Sequence, residues 1–127
     1  MVDNLTPELF LQGRALVVGA NHRSSSMILR DRLFVEDSAA PFILERLKNA
    51  GIEQALVLST CDRVEVQAFC RNLVVSEAET ARRIVEILAE HGELGLEEMD
   101  GQTYVHWDQQ AVRQIFAVAS SLDSLII

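Results

Sequence analysis

No stretch of the 127 residues approaches the ~18 consecutive apolar positions that a membrane-spanning helix needs, so no span is expected. The opening residues, Met1-Val-Asp-Asn-Leu-Thr-Pro-Glu8, are acidic and lack the apolar centre of a signal peptide, so the expected location is the cytoplasm. Basic residues are scarce, with 11 Lys and Arg against 19 Asp and Glu and a net charge of −8. That balance argues against a broad nucleic-acid face, because phosphates are neutralised by clustered Lys and Arg. If RNA binds, it must meet a small local patch. Cysteine is scarce too: Cys61 and Cys70 form no Cys-x-x-Cys pair, and His22, His91 and His106 have no ligand spacing around them. A zinc site is therefore not expected, nor is a structural disulfide in a cytoplasmic chain. Internal repeats and low-complexity tracts are missing. Gly13 and Gly19 build no Gly-x-Gly-x-x-Gly cradle, so the segment shows no dinucleotide site of its own.

What is present is an ordinary globular balance, 49% apolar and 24% charged, in a length that suits one domain. Residues 1–13 read as an N-terminal extension and residues 14–127 as the domain. Arg14-Ala-Leu-Val-Val-Gly19 and Ala55-Leu-Val-Leu58 are compact apolar runs, expected as buried strands. Val64, Val66 and Ala68 alternate with Glu65, Gln67 and Phe69, the period of a half-buried strand. Thr103-Tyr-Val-His-Trp107 is expected as a fourth strand.

Between the first two strands, Asn21-His-Arg-Ser-Ser-Ser26 reads as a polar loop whose serines can cap a helix. Asp37 and Ser38 offer a cap for a helix with Ala40, Ile43, Leu44 and Leu47 on one face and Gly51 at its end. Ser76-Glu-Ala-Glu79 has the spacing of a reciprocal capping box and opens a helix carrying Ala81, Ile84 and Leu88. Asp108 is expected to cap a last helix in which Val112, Ile115, Phe116 and Ala119 repeat at helical spacing. The order strand, helix, strand, strand, helix, strand, helix predicts an α+β ferredoxin-like βαββαβ sandwich with an added C-terminal helix. The chain ends on Leu125-Ile-Ile127 with no capping glycine and no polar tail, which reads as a truncation.

Cys61 is the candidate nucleophile. It lies where an apolar strand gives way to polar residues, so it is expected at a strand end near the surface. Nucleophilic attack needs the thiolate, which a neighbouring Arg63 favours and Asp62 opposes. A lone cysteine is nevertheless most often a small core or surface residue. Cys70, after Phe69 with no activating neighbour, is expected to be such a partly buried thiol. His22 reads as a loop-capping residue, and His106, which shares a strand face with Tyr104, as a sheet histidine.

Three segments together resemble glutamyl-tRNA reductase. Gly19-Ala-Asn-His-Arg-Ser-Ser-Ser-Met27, with Arg30 and Leu33 beyond it, is similar to the family's G-x-N-H-[KR]-T-A-P start. Leu58-Ser-Thr-Cys-Asp-Arg-Val-Glu65 resembles its L-S-T-C-N-R-T-E motif. Ala111-Val-Arg-Gln-Ile-Phe-Ala-Val-Ala-Ser-Ser-Leu-Asp-Ser-Leu-Ile126 resembles A-V-x-H-L-F-R-V-A-S-G-L-D-S. The resemblance implies that Cys61 attacks the ester of glutamyl-tRNA to form a thioester. NADPH, bound by a domain outside this chain, then reduces it to glutamate-1-semialdehyde, the precursor of 5-aminolevulinate and tetrapyrroles. It implies further that Thr60, Asp62, Arg63 and Ser124 contact substrate. As partners it implies glutamyl-tRNA, a homodimer formed through a missing C-terminal domain, and the aminomutase that acts next. The sequence departs from the family at Gln114, where an assisting histidine is usual, and at Asp62, where asparagine is usual. It departs also at Ser24–Ser26 and Ser121. A glutamine can donate a hydrogen bond but cannot shuttle a proton at neutral pH. The alternative reading is a non-catalytic ferredoxin-like binding or regulatory module, since fold alone does not fix function.

Overall fold

The computed structural model describes residues 13–125. Its elements are β1 (Arg14–Asn21), α1 (Met27–Leu33), α2 (Ala40–Asn49), β2 (Gln54–Ser59), β3 (Arg63–Cys70), α3 (Glu77–His91), α4 (Leu96–Met99), β4 (Tyr104–Trp107) and α5 (Asp108–Leu125). The strands form one sheet in the order β2-β3-β1-β4, with each neighbouring pair antiparallel. Strand β3 thus sits between β1 and β2, and β1 between β3 and β4. This interleaving is that of the expected ferredoxin-like sandwich.

The period-two alternation decides which residues go to which side. Leu16, Val18 and Ala20 of β1 join Val64, Val66, Ala68 and Cys70 of β3 in one buried core. The helices cover that face with Leu29 and Leu33 of α1, Ile43 and Leu47 of α2, and Ile84 and Leu88 of α3. Burying each such side chain contributes about 1.5–3 kcal/mol. The opposite face carries Val17, Gly19, Glu65 and Tyr104, and α5 lies across it, with Ala111 and Val118 buried beneath. Arg14 fixes the start of that helix: its Nε donates to both oxygens of Asp108 (2.9 and 3.1 Å) and its Nη2 to Glu77 (2.9 Å).

Several local expectations are corrected. The first crossover contains two helices rather than one, and a short α4 precedes β4. Asp37 and Ser38 do not cap α2, whose N-cap is Ala39 and which carries Pro41 in its first turn; proline's fixed φ suits that position. Only half of the Ser76 box forms. Ser76 Oγ accepts from Glu79 N, while the Glu79 carboxylate turns to Arg82 and Arg83. Asp108 has φ of +53° and gives its carboxylate to Arg14 rather than to the helix end. The buried side of α5 is Ala111 and Val118, with Gln114 and Ile115 partly covered, while Phe116 is 68% exposed. Rotation of the helix toward Gln114 follows from what waits beneath it, a buried carboxylate. Strand β3 is accordingly buried on both faces and not half-buried.

Gly19 is required by packing. It pairs with Glu65 on one side and Tyr104 on the other, and a Cβ there would lie 2.5 Å from the Val64 carbonyl oxygen and 2.9 Å from Glu65 Cα. Backbone atoms cannot swing aside. Gly19→Ala is therefore expected to cost about 1–3 kcal/mol of unfolding free energy by urea titration. An unchanged midpoint would show that the sheet yields there.

Candidate active site

The β2–β3 hairpin turns on four residues. Ser59 and Val64 are the last ladder pair, and Thr60 N donates to the Arg63 carbonyl at 2.8 Å to close the turn. Asp62 N donates to Thr60 Oγ1 at 3.2 Å, which fixes the tip. Cys61 and Asp62 are exposed there, whereas the Arg63 side chain is 17% exposed.

The β1–α1 loop docks against this turn. Asn21 Oδ1 accepts from the backbone N–H groups of Arg23 and Ser24, both at 2.9 Å, an Asx turn that sets the loop. His22 N donates to the Asp62 carbonyl at 2.9 Å. Arg30, buried in α1 at 8% exposure, reaches from the helical layer. Its Nη1 donates to the Ser25 carbonyl at 2.7 Å and to the Asn21 carbonyl at 3.3 Å, and its Nε points to the Cys61 carbonyl at 3.5 Å. Its recorded partners are carbonyl and hydroxyl oxygens, with no carboxylate among them.

On the other face lies Glu65, 0% exposed. Its Oε2 accepts from Gln114 Nε2 at 3.0 Å, from the Tyr104 hydroxyl, and from Arg63 Nη1 at 3.3 Å. Gln67 Nε2 donates to its Oε1 at 2.8 Å. Tyr104 reaches Glu65 across β1, over the position where Gly19 has no side chain. Burial first, and the bond to Glu65 second, push the Tyr104 hydroxyl well above its ordinary value, so it stays a donor. A shallow cleft of about 380 Å³ lies beside this cluster, lined by His106, Gln110, Arg113, Gln114 and Ala117.

The structure therefore places Thr60, Cys61, Asp62 and Arg63 in one turn and joins Gln114 to Arg63 through Glu65. Ser124 lies in the last turn of α5, and its side chain falls outside the described residues. Ile126 and Ile127 lie outside them too, as does most of the 1–13 extension. Cys70 is buried at the far end of β3. His22 is exposed, and the loop is capped by Asn21 instead. His106 stacks on Tyr104 with ring centroids 5.3 Å apart. Glu65, Tyr104 and Arg30 were not among the expected site residues. Glu65 closes the Leu58–Glu65 motif and Arg30 follows the Gly19–Met27 motif, so both carried a signal; Tyr104 is recognisable only in space. Among the described residues no group of three or more His, Cys, Asp or Glu is placed to hold a metal ion, and no helix is long and apolar enough to cross a membrane.

Comparison with known proteins places these features in context. Residues 18–127 match the family model described as glutamyl-tRNAGlu reductase, N-terminal domain. Glutamyl-tRNA reductase of Acidothermus cellulolyticus is 36% identical over 114 residues, covering 88% of this chain and 23% of that protein. The Rubrobacter xylanophilus enzyme of the same name is 38% identical over 113 residues, covering 87% and 25% respectively. Among solved structures, glutamyl-tRNA reductase from Methanopyrus kandleri aligns with a TM-score of 0.54 and 29% identity over 86% of this chain and 23% of that one. The chain spans about a quarter of the length of the curated relatives it matches.

Two measurements follow from this geometry. Burial pushes the Cys70 thiol up, partly offset by Arg14, so Cys70 holds less thiolate at any given pH. Iodoacetamide should modify exposed Cys61 first, at least about tenfold faster near pH 8; equal rates by peptide mass spectrometry would contradict the placement. The raised Tyr104 hydroxyl contributes stability that is present below the ordinary tyrosine value of about 10 and is lost as pH rises through the higher folded value. Alkaline unfolding should therefore be steeper in the parent than in Tyr104→Phe.

Proposed function

Because the chain belongs to the glutamyl-tRNA reductase N-terminal-domain family, we propose that it forms the acyl-transfer half of that reaction, with Cys61 as the nucleophile. The observation that carries this reading is the placement of an exposed cysteine at a hairpin tip whose backbone is held by His22 N, Thr60 and Arg30. In the proposed step the Cys61 thiolate attacks the ester carbonyl carbon of glutamyl-tRNA. The S–C bond forms, the C–O bond to the terminal ribose breaks, and the ribose oxygen leaves with a proton. A thioester lacks the ester's resonance stabilisation, so covalent capture divides one hard step into two easier ones.

Arg63 is the proposed receptor for the substrate's side-chain carboxylate. One of its donors is committed to Glu65, which aims the guanidinium and leaves further N–H groups for a two-point contact. Thr60, Asp62 and Ser124 complete the proposed pocket. Gln114 assists by geometry, since its amide donates to Glu65 and cannot carry a proton.

These residues do not fit a nucleotide site. A side chain at Gly19 would meet the backbone of Val64 and Glu65, and among the described residues Gly13 and Gly19 stand six positions apart in no Gly-x-Gly-x-x-Gly turn. We assign NADPH binding, hydride transfer and release of glutamate-1-semialdehyde for tetrapyrrole synthesis to parts outside the described residues. Dimerisation through a C-terminal domain, hand-over to the aminomutase and a cytoplasmic location belong to the same proposal. The second reading, a binding module, is favoured by one feature: Asp62 puts a carboxylate in the thiol's own turn.

Mixing the chain with glutamyl-tRNA, quenching in acid and weighing the intact protein separates the two. The parent and Cys70→Ser should gain one glutamyl group, and Cys61→Ser should gain none. Arg63→Ala should lower acylation kcat/KM by about tenfold to a hundredfold, the loss of a charged hydrogen bond. An unmodified parent, or a labelled Cys61→Ser, would favour the binding module.

A further inference from the structure

We propose that Arg23 and His22 form a phosphate-binding step beside Cys61 that takes the last backbone phosphate of a single-stranded RNA 3′ end. The proposal rests on the reading of Cys61 as the acyl acceptor and adds how an acidic protein holds a polyanion there.

The chain carries −8 net charge, so RNA is repelled unless free cations stand where it must come close. Most cations are already engaged. Arg14, Arg46, Arg63, Arg82 and Arg83 are ion-paired. Arg30 and Arg32 donate to backbone carbonyls. Arg23, Lys48, Arg71 and Arg113 have no such partner among the described residues. Lys48 lines a cleft with Glu45 and Glu53. Arg71 follows the far end of β3, and Arg113 projects from α5 beside His106. Arg23 alone lies in the loop that touches the Cys61 turn, next to exposed His22.

That loop presents the two side chains from a fixed base. The Arg23 and Ser24 amides are held by Asn21 Oδ1, Ser24 Oγ donates to the Gln102 carbonyl at 2.8 Å, and His22 N is bonded to the Asp62 carbonyl. The backbone N–H groups of residues 22–26 are thus all engaged in holding the loop, while the Arg23 guanidinium is left for a partner. The geometry of the substrate supplies that partner. The ester attacked by Cys61 hangs from the terminal ribose, and the same ribose carries the last 5′-phosphate. With the ester carbon at Sγ, this phosphate is one sugar away from the turn. Asp62 is the one carboxylate between Ser59 and Val64, and the guanidiniums of Arg23 and Arg30 outnumber it at this end.

The test compares two acyl donors with the same chain: glutamyl-tRNA, and a small glutamyl thioester carrying no phosphate. Arg23→Gln should lower acylation kcat/KM with the RNA donor about tenfold at low salt and leave the small donor within about twofold. The slope of log kcat/KM against log salt should fall by about 0.7, one single-strand phosphate contact. Arg71→Gln, equally unpaired but at the other end of the sheet, should change neither donor. A parallel binding titration with short non-aminoacylated RNA of the tRNA acceptor-end sequence reads the phosphate site without Cys61 chemistry, and Arg23→Gln should weaken it where Arg71→Gln does not. Equal losses with both donors would mean that Arg23 is merely structural, and no loss with RNA, or the same loss from Arg71→Gln, would overturn the site. Failure of either donor to acylate the parent, with the RNA titration still sensitive to Arg23, would remove the Cys61 reading and keep the phosphate step.

Discussion

A carboxylate with no access to water has to be surrounded by donors, and Glu65 imposes that demand at the centre of this sheet. Removing a charge from water costs several kcal/mol unless hydrogen bonds replace the lost hydration. Glu65 obtains them from four side chains on three elements: Arg63 and Gln67 on its own strand, Tyr104 on β4 and Gln114 on α5. The requirement explains features that look unrelated in sequence. Position 19 is a glycine because a Cβ there would strike the backbone of Val64 and Glu65, on the face where Tyr104 reaches the carboxylate. Helix α5 turns Gln114 inward and leaves Phe116 to solvent for the same reason.

The hairpin that carries Cys61 is consequently gripped from both faces of the sheet. From the helical layer Arg30 holds the carbonyls of the β1–α1 loop and points to that of Cys61. From the α5 side Glu65 holds the guanidinium of Arg63. Neither buried charge is used to neutralise the other. Each instead fixes groups that border Cys61, so the exposed thiol sits in a stationary frame. The arrangement also gives Gln114 a purpose in the absence of an ionisable ring: it supplies one of the donors that keep Glu65, and through it Arg63, in place.

Much of the layer architecture was legible because it depends on periodicity. Val64, Val66 and Ala68 alternate as a strand must, Ala81, Ile84 and Leu88 repeat as a helix must, and the element order left few topologies to choose from. The turn from Thr60 to Arg63 was legible as well, since an apolar run ends there on polar residues. The other face of the sheet was not. A glutamate at an alternating strand position reads as solvent-facing, and nothing local announces that a helix forty-nine residues later will cover it with an amide. The Ser26 and Ser76 hydroxyls cap their helices as expected, whereas the carboxylates of Glu79 and Asp108 bond to nearby arginines instead of the helix ends. Apolar spacing in α5 misled through the same long-range cause, the pull of Glu65 on Gln114.

The dependence of β4 and α5 on one carboxylate is best measured by a double-mutant cycle on unfolding free energy, combining Tyr104→Phe with Gln114→Ala. Both residues donate to Glu65 Oε2, so their effects should be coupled by about 0.5–3 kcal/mol. Losses that add within about 0.5 kcal/mol would mean that the two donors act independently and that Glu65 is not the joint on which this end of the fold depends.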